Sequence, residues 1–93
     1  MLGLLTLHLL IPGCASLKEK RSRLKPLLAR LHKEFNLSVA EMDRLDKWRE
    51  AVIACAMVGN ERVPLEQSLQ AVAKWVERNW PDVEVFGNHI ELL

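Results

Sequence analysis

The spacing of apolar side chains divides the chain into six segments, four typical of strands and two typical of helices. In residues 2–11 apolar side chains occupy both alternating phases, which indicates a strand covered on both faces. Leucines recur at helical spacing in residues 17–34, and a second helical stripe runs from Leu65 to Trp80. In chain order the predicted elements are strand 2–11, helix 17–34, strand 37–42, a polar connection 43–46, strand 48–58, a helix opened by Pro64 and stopped by Pro81, and strand 82–93.

Two residues are predicted to disturb these elements. Pro26 lies inside the first helix and removes a backbone donor there, so we expect either a kink or a break at which Pro26 restarts the helix. Gly87 interrupts the alternation of the last strand, which indicates a bulge or bend.

The order strand, helix, strand, strand, helix, strand predicts a single α+β domain over residues 1–93, a ferredoxin-like sandwich. Right-handed crossovers from adjacent strands give this split βαβ arrangement, with an antiparallel sheet in the order 4-1-3-2 and both helices on one face. The other face is then open, and central strands that are apolar on both phases make it too hydrophobic for water. We therefore expect a homo-oligomer, most simply a dimer, through this face, unless loops or the tail cover it.

Charge is distributed unevenly along the chain, although the formal net charge is only +1. Residues 16–35 contain seven of the 13 Lys and Arg but two of the 12 acids, so this segment carries +5 and the remainder carries −4. Such an asymmetry creates a one-sided positive field that steers a polyanion.

The start of the first helix concentrates these cations where the helix dipole is already positive. Ser16 and Glu19 have the spacing of a capping box. Cations oppose the dipole at this end, whereas phosphate is favoured there. The alternative is a solvated helix face, and because Lys20 and Arg21 interrupt the apolar stripe, we expect this end to overhang the core. The predicted anion-binding or nucleic-acid-binding residues are Ser16, Lys18, Lys20, Arg21, Arg23 and Lys25.

Several segments carry a resemblance to a known family: 11–21 (Ile-Pro-Gly-Cys-Ala-Ser-Leu-Lys-Glu-Lys-Arg), 35–41 (Phe-Asn-Leu-Ser-Val-Ala-Glu), Asp46 with Trp48, 58–61 (Val-Gly-Asn-Glu) and 90–93 (Ile-Glu-Leu-Leu). Together they resemble the YlxP-like family, small bacterial proteins of unknown function. The resemblance implies a ferredoxin-like fold and a cytoplasmic bacterial protein. Members are often encoded near ribosome-binding factor A and translation factors, which implies a connection to translation or RNA by association. The family has no established catalytic residues, so the resemblance leaves the activity open.

The central strands offer little for reading RNA bases. Sheets that bind single strands stack bases on aromatic side chains of the two central strands. No Gly-x-x-Gly loop is present either, so RNA contact is expected through phosphate and shape, by the first helix. The positions assigned to the sheet face, none of them Phe or Tyr, are Thr6, His8, Ala51, Ile53, Cys55 and Met57.

Three residues are predicted to contact a protein partner: Trp48, Ile53 and Met57. Ile53 and Met57 belong to the apolar central strand that is expected to contribute to the open face. Trp48 begins that strand, and tryptophan is favoured at the centre of interfaces. The alternative is that Trp48 caps the edge of the core.

No catalytic, metal-binding or cofactor-binding residues are predicted. His8 and His89 lie on strands expected to be neighbours, but a closed metal site needs four ligands. Cys55 is expected to be a buried small hydrophobe. Cys14 lies before a helix and near cations that lower a thiol pKa, yet without a base it is better explained as an exposed or half-buried loop residue.

The two cysteines and the first predicted strand indicate the cellular compartment of the protein. The cysteines form no Cys-x-x-Cys motif, so a reducing cytoplasm is compatible. Residues 1–11 are apolar, but they lack a basic leader and are too short to span a bilayer. A cytoplasmic protein without membrane contact is expected.

Three functions remain open at this stage. The first is a non-enzymatic cytosolic module that binds RNA or a ribosomal partner through the basic first helix, as a dimer. The second is a protein-interaction or oligomerisation scaffold that uses the open face of the sheet. The third is binding of a phosphate ligand, or phosphoester chemistry, at the start of the first helix. Acylphosphatases share this topology, but their Arg-bearing glycine loop is missing, so the third function is an analogy.

Overall fold

The computed structural model contains a four-stranded antiparallel sheet and two helices, and it describes residues 1–44 and 46–93. The strands are arranged β2-β3-β1-β4, which is the predicted order, and the α+β ferredoxin-like architecture is confirmed. In chain order the elements are β1 Leu2–Leu10, α1 Leu17–Glu34, β2 Ser38–Asp43, β3 Glu50–Val58, α2 Arg62–Asn79 and β4 Glu84–Leu92.

Element boundaries differ from the prediction by one or two residues at several ends. β3 begins at Glu50 because residues 48 and 49 form a bend, and α2 begins at Arg62, so that Pro64 lies in its first turn as expected. The predicted connection 43–46 contains Leu45, which lies outside the described residues.

The core lies between the helices and one face of the sheet. Leu5, Leu7 and Leu9 of β1 are fully buried, and their partners across β3 are Cys55, Ile53 and Ala51, which are buried as well. The helices close this layer with side chains at helical spacing. They are Leu24, Leu27 and Leu31 from α1 and Leu65, Leu69, Val72 and Val76 from α2.

The start of α1 shows the serine half of the predicted capping box, whereas the Glu19 carboxylate accepts from Arg23. Ser16 is the N-cap, and its hydroxyl accepts a hydrogen bond of 3.0 Å from the backbone amide of Glu19. Gly13 precedes it with a φ of 71°, a left-handed conformation that glycine adopts without strain. The helix then continues through Pro26, so the predicted break does not occur.

The bulge predicted at Gly87 is present. Gly87 pairs with His8 whereas Val85 pairs with Leu9, so Phe86 is the extra residue on β4. The ring of Phe86 lies 5.8 Å from the ring of His8, and Phe86 is 53% exposed.

Opposite the helices the sheet presents a surface that we call the open face. Its central part consists of the alternate side chains of β1 and β3 that do not enter the core. Only Val52 among them is buried, so the described part of the chain does not seal this surface. These side chains are Leu4, Thr6, His8, Leu10, Val52, Ala54, Ala56 and Val58.

Candidate polyanion interface on the first helix

Lys20 was predicted to bind an anion, but the structure places it in the core with 1% of its surface exposed. Its ammonium group donates to the carbonyl oxygens of Arg44 and Lys47 at 2.7 and 2.8 Å and lies 2.7 Å from Oε2 of Glu41. Two of the three donors of the ammonium are used by the carbonyls, and the Glu41 carboxylate, whose Oε2 is buried and accepts no hydrogen bond, neutralises its charge as an ion pair. The predictions of anion contact at Lys20 and of an overhanging helix end at this residue are therefore wrong, because Lys20 follows the same helical spacing as Leu24 and Leu27.

Arg23 is likewise occupied within the chain. Nε and one Nη donate to the carboxylate of Asp82 at 2.9 and 3.0 Å, and the same Nη donates to the Asp82 carbonyl at 2.8 Å. The other Nη donates to the carbonyl of Pro12 and to Glu19. The hydrogen bonds with Asp82 raise the pKa of the Arg23 guanidinium above its ordinary value. All five donors are used within the chain, so Arg23 has no free donor for a phosphate and is not included in the site.

The proposed phosphate cradle at Ser16 is reduced by the cap itself. Because the Ser16 hydroxyl already accepts from the amide of Glu19, that amide is not free for an anion. Together with the loss of Lys20 and Arg23, this removes most of the support for phosphoester chemistry at the helix start.

Lys18, Arg21 and Lys25 remain exposed, and their spacing places them on one side of α1. We call these three residues the basic face. Both acids of α1 are directed to arginines, since Glu19 contacts Arg23 and Glu34 lies 3.1 Å from Arg30. Among the side chains that the structure describes, which exclude those of residues 43 and 45, no carboxylate forms an ion pair with a cation of the basic face.

The far end of α1 packs against aromatic side chains of α2. The Arg30 guanidinium lies 5.5 Å from the centre of the Trp75 ring, and Trp75 contacts both Phe35 and Trp80. Lys33 is exposed near this end and extends the positive charge along the helix.

The three predicted partner contacts separate in the structure. Trp48 is 51% exposed and lines a shallow groove of about 500 Å³ with Leu10 and residues 46–50. Ile53 is fully buried, and Met57 packs against the core, so the prediction that they lie on the open face is wrong. The physical reason is strand periodicity: both phases of β3 are apolar, and the phase that contains Cys55 faces the helices. For the same reason Ala51 and Cys55 do not reach the open face.

The histidines do not form a site. His89 pairs with Thr6 across the sheet, so it is offset by two residues from His8, and its Nε2 lies 3.6 Å from Oε1 of Glu91. His32 lies at the end of α1, with Nδ1 2.8 Å from the carbonyl of Leu37. In the described part of the chain, no three His, Cys, Asp or Glu side chains are grouped as a metal would require.

Both cysteines are buried. Cys14 is fully buried with its Sγ 3.3 Å from the carbonyl of Ser16, so the expectation of an exposed or half-buried thiol is wrong. Cys55 is in the core as predicted, and burial raises the pKa of its thiol to about 12.

Two comparisons with known proteins agree with the resemblance carried by the sequence segments. A family described as "Protein of unknown function (DUF503)" matches residues 2–90. The chain is also 34% identical over 84 residues to the uncharacterized protein YlxP of Bacillus subtilis (strain 168), and this match covers 90% of both chains. Among the described residues, neither helix combines the length and the apolar character needed to cross a membrane.

Proposed function

The chain belongs to the DUF503 family of proteins of unknown function, and on that premise we propose that it binds RNA, alone or in a ribosomal assembly, through the basic face of α1. The proposal depends on one observation: Lys18, Arg21 and Lys25 are exposed on one side of the helix, while both acids of α1 are paired with arginines. Lys18 and Arg21 also lie at the helix start, where cations oppose the dipole unless an anion is bound. The role is non-enzymatic and cytoplasmic.

The mode of recognition is contact with phosphates rather than with bases. The open face offers Thr6, His8, Val52 and Ala54 at the centre of the sheet, where the single aromatic ring, that of His8, already packs against Phe86, whereas a base-reading sheet stacks two or three bases on its central strands. Three cations along one helix face suit the backbone of a structured RNA. If each neutralises one phosphate, the logarithm of the binding constant falls with the logarithm of salt concentration with a slope of about −3.

Fluorescence anisotropy of a labelled RNA hairpin tests this proposal across salt concentrations. In the test variant Lys18, Arg21 and Lys25 are each replaced by Glu, and we expect its affinity to fall at least 100-fold and the salt slope to approach zero. In the matched control Arg62, Lys74 and Arg78, which are exposed cations of α2, are each replaced by Glu. This control therefore has the same net charge as the test variant.

Two outcomes would reject the assignment. If both triple variants lose affinity equally, net charge and not the basic face governs binding. If the wild-type protein does not bind even at low salt, the cations form a solvated helix surface.

A second candidate function is a protein-interaction scaffold that uses the open face. It is favoured by the apolar centre of that face, in which Leu4, Leu10 and Ala56 remain partly accessible on a sheet whose other side packs against the helices. A photoreactive amino acid at position 54 in living cells should give a discrete protein adduct, whereas the same group at exposed position 71 of α2 should not. Absence of any adduct at position 54 would remove this candidate.

A further inference from the structure

The side chains of the open face differ in size between its two halves, one formed by β1 and β4 and the other by β3 and β2. β1 contributes mainly large side chains, whereas the facing positions of β3 are mostly small, since Leu4 pairs with Ala56, Thr6 with Ala54 and His8 with Val52. The outer strands repeat this difference in part. β4 contributes Phe86 and His89 on either side of Gly87, and β2 contributes Ser38 and Ala40 before a register shift at which the large side chain of Met42 is exposed.

We propose that a second copy of this chain covers the open face, related by a two-fold axis that runs between β1 and β3, parallel to the strands. This inference takes the open face as an interaction surface, as the second candidate function does, and names its occupant. Under this symmetry β1 of each copy lies on β3 of the other, so Leu4 faces Ala56 and His8 faces Val52 of the second copy. Large side chains then fill the space above small ones, as stacked sheets about 10 Å apart require.

The open face is large enough for a stable dimer. The three strands of nine residues span about 30 Å, the six residues of β2 span about 20 Å, and four strands side by side span about 19 Å. The projected face is therefore about 530 Å² per copy, and a dimer buries roughly 1,060 Å² in total, just above the threshold of about 1,000 Å² for a specific interface.

The charges of this face also suit a second copy. The central positions from Leu4 to His8 and from Val52 to Val58 carry no acid, lysine or arginine. Acids lie at the margin, where Glu50 and Glu84 pair with Leu10 and Glu91 pairs with Leu4. The two-fold axis places Glu91 over Ser38 of the second copy instead of over another acid, because both residues lie at the level of the Leu4–Ala56 pair. An apolar centre with a polar rim is the usual anatomy of an interface.

The helices stay on the outside of such a dimer. Each basic face then points away from the interface, and the two basic faces lie on opposite sides of the assembly. RNA binding by α1 therefore does not depend on the contact between sheets, and the two proposals are testable separately.

Sedimentation velocity between 1 and 100 µM tests the inference. We expect a wild-type dimer at 10 µM and a dissociation constant raised at least 100-fold in Ala54→Glu, whose carboxylate lies at the centre of the interface. The matched control Ala71→Glu, on the exposed side of α2, should leave the constant within twofold. Ala56→Leu distinguishes an interface of complementary shape from non-specific apolar association. The substitution adds apolar surface, but its larger side chain meets Leu4 of the second copy, so we expect at least tenfold weaker association.

Each opposite result overturns the inference. A wild-type monomer at 100 µM excludes the dimer, and a dimer that survives Ala54→Glu has its interface elsewhere. Stronger association of Ala56→Leu would show that large side chains do not lie on small ones. If Ala54→Glu does not fold, as judged by circular dichroism, Thr6→Lys on the neighbouring strand replaces it. RNA anisotropy on the monomeric variant, whose basic face is intact, reports on the first proposal independently.

Discussion

Lys20 shows how one side chain changes the interpretation of the basic segment at the start of α1. It lies in a run of cations, yet its ammonium is buried and holds Glu41 and two carbonyl groups of the connection after β2 against the helix. We predict that Lys20→Met lowers the free energy of unfolding by about 3 kcal/mol, because the Glu41 carboxylate loses its counter-ion and two carbonyls lose the hydrogen bonds from the ammonium. Urea denaturation measures this, with exposed Lys18→Met as the control that should change stability by less than about 0.5 kcal/mol.

The double variant Lys20→Met with Glu41→Leu sharpens that prediction. Removing the carboxylate together with the ammonium should restore part of the lost stability, but the hydrogen bonds from the ammonium to the carbonyls of Arg44 and Lys47 stay lost. If Lys20→Met is as stable as Lys18→Met, the buried ion pair contributes nothing.

The buried thiol of Cys55 is predicted to lower the free energy of unfolding as the pH rises into the alkaline range. Burial raises its pKa to about 12, against 9.0 for an ordinary thiol, so between these values the unfolded chain loses a proton that the folded chain keeps. The free energy of unfolding should therefore be unaffected by this group below pH 9 and fall by up to about 1.4 kcal/mol per pH unit above it. Urea denaturation from pH 8 to 10.5 measures the slope, and the difference between wild type and Cys55→Ala isolates it. Equal slopes in the two proteins would contradict the prediction.

At the scale of elements, the packing of α2 on β1 depends on a glycine. A Cβ on Gly3 would lie 2.6 Å from Cδ1 of Leu69 and 3.2 Å from Leu65, so α2 or these side chains must move. We expect Gly3→Ala to lower the free energy of unfolding by about 1–2 kcal/mol through overpacking. Gly59→Ala is the matched control, because its Cβ meets Leu65 at an ordinary 3.5 Å, and thermal unfolding compares the two. A loss that is the same for both would assign the effect to glycine itself.

The element order and strand periodicity were sufficient to predict the sheet order and the core of β1, because strands and helices alternate in a pattern that few topologies accommodate. The phase of β3 was not predictable in the same way. Val52 and Ile53 are both apolar, so only the position of the helices decides that Ile53 is buried.

The prediction of an anion site at the start of the first helix was incorrect at Lys20 for a different reason. The helical spacing of Lys20 with the apolar stripe was a usable signal that its side chain is buried. The carbonyls that accept from its ammonium, however, lie 24 and 27 positions away along the chain, and its counter-ion Glu41 lies on β2.

For the whole molecule, the proposed dimer links folding to protein concentration. If the native state is a dimer that dissociates on unfolding, its thermal midpoint must rise with concentration, by about 4 °C per tenfold increase for two chains of 93 residues. Ala54→Glu removes the contact but leaves the core of Leu5, Leu7 and Leu9 intact, so its midpoint should not vary with concentration. Scanning calorimetry at 5, 50 and 500 µM measures both proteins, with Ala71→Glu expected to follow the wild type. A wild-type midpoint that stays constant over this range would mean that the open face remains bare in the folded protein, and that its apolar centre is tolerated without a second copy.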